Sequence, residues 1–246
     1  MKKILIVLNI ILLSLFIVSK SDAYSFGIGK ISNNQRPSAS HFGKIIEDNN
    51  GFYIGDDTKS VYLSFDCGYE NGYTKAILDT LKEKEVSATF FITGHYLNSS
   101  LALVKRMAAE GHIVANHTNK HGHFTKQSAN ETLKDVTTLE AMYEEKLNLK
   151  MSKLCRPPAG EFNEESLEIL AKNSYIPAFW SLAYVDWNKD AYHGNDYSLK
   201  EVMKRLHNGA VILMHTVGRD NKEDLGKIID GIKASGYQFK GLDTIK

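Results

Sequence analysis

The sequence predicts an α/β fold: a distorted (β/α) barrel of about seven parallel strands. Short apolar runs alternate with segments of helical period along most of the chain, as they do where parallel strands are joined by helical crossovers. The number of such units suits a closed or nearly closed barrel better than an open sheet. Polar clusters also fall at the ends of the apolar runs, where barrels of this kind gather their chemistry.

The elements follow in order. Residues 24–58 are polar, with turn signals at Asn33-Asn34-Gln35-Arg36-Pro37 and Asp48-Asn49-Asn50-Gly51, and read as an irregular lead-in packed on the main domain, 59–246. Val61 to Phe65 is an apolar strand, and Thr74 to Lys84 carries Ala76, Ile77, Leu78 and Leu81 as an amphipathic helix does. Ala88 to Ile92 reads as strand, Leu101 to Glu110 as helix and His112 to Ala115 as strand. A long helix from Ser128 to Leu147, a short strand before Arg156 and a helix from Glu164 to Asn173 come next. Ile176 to Trp180, the helix Leu199 to His207, the strand Ala210 to Met214, the helix Asp224 to Ser235 and a final Gln238-Phe239 complete the pattern. No glycine-rich phosphate loop follows any strand.

The 246 residues, 43% hydrophobic and 24% charged, suit one domain with one large core. A formal charge of +1 with interspersed signs argues against nucleic acid as a partner. Met1-Lys2-Lys3, the apolar run Ile4 to Val18 and Ser21-Asp22-Ala23 have the three parts of a secretory signal over residues 1–23, so an exported protein is expected. The run is shorter than the roughly 20 residues that span a bilayer. Two cysteines, Cys67 and Cys155, are too few for a disulfide framework, and a disulfide, a metal thiolate and two separate buried thiols all remain open.

Five polar clusters describe an active site: Asp66 in Phe65-Asp66-Cys67-Gly68, His117 and His121 four residues apart, Arg156-Pro157-Pro158-Ala159-Gly160, Asp186-Trp187, and His215 in Leu213-Met214-His215. Two histidines at this spacing lie one helical turn apart and can reach one metal ion. Thr118 follows the first, so the glutamate of a His-Glu-x-x-His peptidase is absent. His112, within an apolar strand, reads as a core residue.

From Lys59 onward these clusters, in this order, resemble the five motifs of the polysaccharide deacetylases of carbohydrate esterase family four. Tyr69-Glu70-Asn71-Gly72-Tyr73-Thr74, Gly51 to Asp56 and Asn33-Asn34-Gln35 resemble one branch, the delta-lactam-forming peptidoglycan N-acetylmuramic acid deacetylases of endospore formers. The resemblance implies the polysaccharide deacetylase type of barrel and a divalent metal ion, zinc foremost, on His117 and His121. Asp66 is then the general base, Arg156 its partner through a two-bond fork, and His215 the general acid oriented by Asp186. Trp187 and Leu213 line the pocket for the acetyl methyl group, and the loop that includes Pro158 walls the groove. The family's metal aspartate is replaced by Cys67, which is a third zinc ligand, a space-filling thiol or half of a disulfide with Cys155. The second reading is favoured, because a soft thiolate beside the base would reduce the metal's Lewis acidity. The aspartate that usually meets the arginine falls at Ala183 and is absent.

The expected reaction is removal of the N-acetyl group from muramic acid in peptide-free spore cortex glycan, after which the amine closes onto the lactyl carboxyl. The expected partner is the glycan strand, with the protein a monomer on the cell wall or spore envelope side of the membrane. Deacetylation of N-acetylglucosamine in peptidoglycan or chitin-like oligomers is the first alternative, and a non-catalytic glycan-binding module the second.

Overall fold

The structure is a computed structural model that describes residues 22–28, 33–38 and 40–245. Apart from Asp22 and Ala23, the signal segment lies outside these residues. The strands are β1 (Tyr24–Ser25), β2 (Ser60–Cys67), β3 (Thr89–Ile92), β4 (Ile113–Asn116), β5 (Leu154–Cys155), β6 (Glu161–Phe162), β7 (Ile176–Pro177), β8 (Ala210–His215) and β9 (Gln238–Phe239). The helices are α1 (Ser40–Asp48), α2 (Thr74–Glu83), α3 (Gly94–Ser99), α4 (Leu101–Ala109), α5 (Ala129–Leu147), α6 (Glu164–Lys172), α7 (Tyr197–Met203) and α8 (Arg219–Ala234).

Seven strands form one parallel sheet in the order β7-β5-β4-β3-β2-β8, with β9 on β2. β9 pairs with Ser60 and Val61, and β3 joins from Ser64 onward. The sheet curls because the chain leaving β7 connects its two ends: Ala178 bridges to Phe52, and Leu182 bridges to Ile212 of β8. The result is the distorted, incompletely closed barrel that the alternation predicts.

β2 is buried along its whole length, as a central parallel strand between two packed layers must be. Its side chains alternate. Val61, Leu63, Phe65 and Cys67 face the helices and pack with Ile77 and Leu81 of α2, Met107 of α4 and Ile228 of α8. Tyr62 faces inward with Phe91, Ala115, Leu154 and Val211, and Ser64 and Asp66 share that inner face. Each large side chain fully buried in this way contributes about 1.5–3 kcal/mol.

Several elements differ from expectation: α8 begins at Arg219 and not at Asp224, and α7 ends at Met203 and not at His207. The lead-in is not irregular: β1 pairs antiparallel with β6, and α1 buries Ile45 and Ile46 against Phe162, Leu167 and Phe179. Phe42, Ile45 and Ile46 make one helical face, but the helix is only nine residues long and runs into the turn signal at Asp48-Asn49-Asn50-Gly51. A short helix, α3, also precedes α4, with the break at Ser100. No helix among the described residues is long and apolar enough to cross a membrane.

Candidate active site

Strand register assembles the site. Asp66 pairs with His215 across β2 and β8, so the two side chains leave adjacent strands at one level. Asn116, at the end of β4, pairs with Ile92 and with Cys155, which brings His117 and Arg156, each one residue beyond its strand, to the same rim. Asp66, His117, His121 and His215 together line a cleft of about 1110 Å³ at the carboxyl ends of the strands.

Arg156 lies beneath this rim, fully buried, and most of its five donors are used. Nη1 donates to Asp66 Oδ1 at 2.8 Å, Nη2 to Ser64 Oγ at 3.0 Å and the Phe179 carbonyl at 3.2 Å, and Nε to the Ala178 carbonyl at 3.1 Å. The guanidinium also stacks on Phe91, 4.0 Å from the ring centre. The expected two-bond fork onto Asp66 is therefore not made: one bond goes to the carboxylate, and Ser64 and main-chain carbonyls take the rest. Burial pushes the Asp66 carboxyl up, but Arg156, with smaller help from His117 and His215, outweighs it and holds the group below the usual carboxylate range.

His215 is the complementary group. Its Nδ1 meets Asp186 Oδ1 at 2.7 Å, and its backbone N–H donates to Asp186 Oδ2 at 2.8 Å. Burial lowers the imidazole's pKa, but the charge and hydrogen bond of Asp186, with the charge of Asp66, raise it above the ordinary histidine value. With Nδ1–H on Asp186, the Nε2–H of the imidazolium is left for the cleft. Asp186 is buried behind His215 and, like Arg156, acts on the cleft only through its partner.

The two histidines of the second cluster do not share a helical turn. They lie on a loop in which Thr118 and His121 have positive φ, 66° and 55°. Side chains of the loop pin this shape: Asn116 Oδ1 accepts from the Thr118 N–H at 2.9 Å, Thr118 Oγ1 accepts from the His121 N–H at 2.9 Å, and Asp135 accepts from the Lys120 N–H at 3.1 Å. The rings meet edge to face with centroids 4.8 Å apart. Burial lowers His117 to about 4 and lowers His121 as well, so both are neutral, the form that binds metal. The neutral His117 ring donates from Nδ1 to the Arg156 carbonyl at 2.9 Å, which leaves the Nε2 lone pair directed toward Asp66, 3.4 Å away.

This donor set fits a divalent ion held by two imidazoles, with its other positions open to water or substrate. It does not supply three protein ligands: among the described residues no group of three His, Cys, Asp or Glu side chains converges. Cys67 is not a ligand, because strand alternation turns it from Asp66 toward the helices, where Thr216 Oγ1 lies 3.6 Å from its sulfur and burial raises its pKa. Nor is it in a disulfide. Both cysteines are free, and Cys67 and Cys155 lie on β2 and β5, three strand spacings or about 14 Å apart, beyond the roughly 7 Å limit.

A profile of the polysaccharide deacetylase family matches residues 54–178. The chain belongs to that family. It is 38% identical to the peptidoglycan-N-acetylmuramic acid deacetylase PdaA of Bacillus subtilis, over 92% of this chain and 86% of the relative. The solved structure of PdaA, a family 4 carbohydrate esterase, superposes with a TM-score of 0.86 at 37% identity, covering 91% of this chain and 97% of that one. The peptidoglycan-N-acetylglucosamine deacetylase PgdA of Listeria monocytogenes is 31% identical over 76% of this chain and 39% of its own length.

Of the wall residues expected in a polysaccharide deacetylase, Leu213 and Trp187 both line the cleft, and the Trp187 ring lies 6.0 Å from that of His215. Pro158 does not. It is buried, and Ala159 and Gly160, both at positive φ, form the wall instead. Ala183, in the place of the missing aspartate, contributes only its carbonyl, to Arg205. Glu70 also faces away from the chemistry, accepting from the Gly72 N–H at 2.6 Å and from the Tyr96 hydroxyl at 3.0 Å. His112 is a core residue whose Nδ1 accepts from the Ala88 N–H.

Sequence reasoning missed two supports. Ser64 was detectable, since alternation puts it on the Asp66 face. Asn221 carries no motif signal, yet its Nδ2 donates to Asp186 Oδ2 at 2.6 Å and to the His215 carbonyl at 2.9 Å. Its Oδ1 accepts from the Tyr184 and Ser198 hydroxyls at 2.6 and 2.7 Å, which fixes the amide.

Proposed function

We propose that this protein is a peptidoglycan N-acetylmuramic acid deacetylase acting on peptide-free cortex glycan outside the cytoplasmic membrane, where the leader read in residues 1–23 would send it. Support for the chemistry comes above all from one observation: the carboxyl of Asp66, its pKa lowered by Arg156, and the imidazole of His215, its pKa raised by Asp186, leave adjacent strands at one register and face the same cleft. Support for the substrate comes from likeness to PdaA over nearly the whole chain, lead-in included.

In this reading Asp66, kept ionised by Arg156, takes a proton from the water that attacks the acetyl carbonyl carbon. His215 gives its Nε2 proton to the departing nitrogen as the C–N bond breaks, and Asp186 steadies the imidazolium beforehand. The products are acetate and a free amine. A divalent ion on His117 and His121, zinc in our reading, supplies polarisation of the carbonyl when bound. Trp187 and Leu213 flank the acetyl methyl. The amine is then close enough to the lactyl carboxyl of the same sugar to close a six-membered lactam with loss of water.

The test is acetate release from peptide-free glycan, peptide-bearing glycan and N-acetylglucosamine oligomers, with mass spectrometry of the digested product. A preference for peptide-free glycan and a product lighter by one water are expected. Equal rates on N-acetylglucosamine oligomers would favour the second reading, for which the likeness to PgdA speaks.

A further inference from the structure

The cleft is unevenly charged. Among the described residues that line it, Asp66 is the sole acid, and it is committed to Arg156. Lys120 is the sole lysine or arginine among them, set in the loop between the two imidazoles. Its backbone N–H is tied to Asp135, but its exposed ammonium has no ion pair or hydrogen bond among the described residues. Other surface lysines, such as Lys105 and Lys222, are also without an ion pair among the described residues, so what sets Lys120 apart is its place at the cleft. An unpaired ammonium there, beside a carboxylate already paired with Arg156, suits an anionic substrate.

We propose that Lys120 determines specificity by receiving the lactyl carboxylate of muramic acid, an inference that rests on the muramic reading above. N-acetylmuramic acid differs from N-acetylglucosamine by one substituent, the 3-O-lactyl group, which carries a negative charge when free. When a stem peptide is attached, the same carboxyl becomes a neutral amide. One ammonium at the rim thus separates peptide-free muramic acid from both competitors, by attraction to a charge that they lack at the lactyl position. The backbone bond to Asp135 fixes the point from which the flexible lysine stem reaches.

The test measures kcat/KM on the three glycans for wild type, Lys120→Met and Lys120→Arg, at low and high salt. Wild type should prefer peptide-free muramic glycan, and the methionine variant should lose about tenfold of that preference, chiefly through KM. Arginine should restore most of it, and salt should erode it in wild type but not in the methionine variant. A wild-type preference that survives Lys120→Met unchanged would overturn the assignment while leaving the muramic reading intact. No preference in wild type would sink the muramic reading and the Lys120 role with it. A uniform loss on all three glycans would also refute it, because it would make Lys120 a support of the histidine loop.

Discussion

A carboxyl as deeply buried as Asp66 would ordinarily hold its proton, and a base that holds its proton is useless. Arg156 reverses this, so Asp66→Asn should keep the fold and lose about 10²–10⁴ in acetate release, read against an unchanged circular dichroism spectrum. Asp186 governs the acid in the opposite direction. Activity should fall on the alkaline side as pH rises through the raised value of His215, because the proton donor is then lost. Asp186→Asn removes the charge that raises it, so the alkaline limb of the kcat/KM profile should move to lower pH. An unmoved limb would assign the acid elsewhere. Asp66, His117 and His215 were legible in the sequence because each follows an apolar run, and strand ends meet at one rim of a parallel barrel; His121 was legible from its spacing to His117, and Asp186 from its place after Val185. Asn221 was not, since its contribution depends on how α8 begins after His215 and on the hydroxyls of Tyr184 and Ser198, contacts that no spacing encodes.

At the scale of elements, long periodic segments such as α5 and fully apolar strands such as β2 could be read directly, whereas local backbone choices could not. The histidine loop is the clearest case: i and i+4 spacing suggests a helical turn, but Asn116 and Thr118 offer side-chain bonds that compete with helix and stabilise positive φ. α3 then packs on this loop so closely that a Cβ on Gly94 would lie 2.0 Å from Asn119 Oδ1 and 2.8 Å from its carbonyl oxygen. Gly94→Ala should therefore push the loop aside and weaken binding of a divalent metal ion and acetate release together, with the melting temperature reduced. Metal affinity equal to wild type would show that the loop holds its shape without α3. Cys67 makes the opposite case. Its thiol belongs to the outer core, so Cys67→Ser should cost about 1–3 kcal/mol in denaturant unfolding, as for a polar group placed among apolar neighbours, and leave metal content unchanged. Loss of metal in that variant would return the thiol to the site.

For the molecule as a whole, the two walls of the cleft differ in construction. One is β2, paired along its length with β8 and successively with β9 and β3, and enclosed by helices on its outer face. The other is the stretch from Trp187 to Asn195, which has no regular structure, exposes Trp187 to 55%, and is tethered to α8 through Asp220, which accepts from the backbone of His193 and Gly194, and through Tyr192, whose hydroxyl donates to Glu223. In hydrogen–deuterium exchange, the amides of β2 should be released only by global unfolding, while those of residues 187–189 should exchange at rates close to an open chain. Comparable protection of the two would contradict this division. Asp66 is thus mounted on the part of the chain that opens last, and Trp187 on a part that opens readily. A polymer threaded along such a cleft meets a stationary anvil on one side and a yielding jaw on the other, so a bulky strand can be admitted, gripped at one sugar and released without the proton-transfer geometry ever being taken apart.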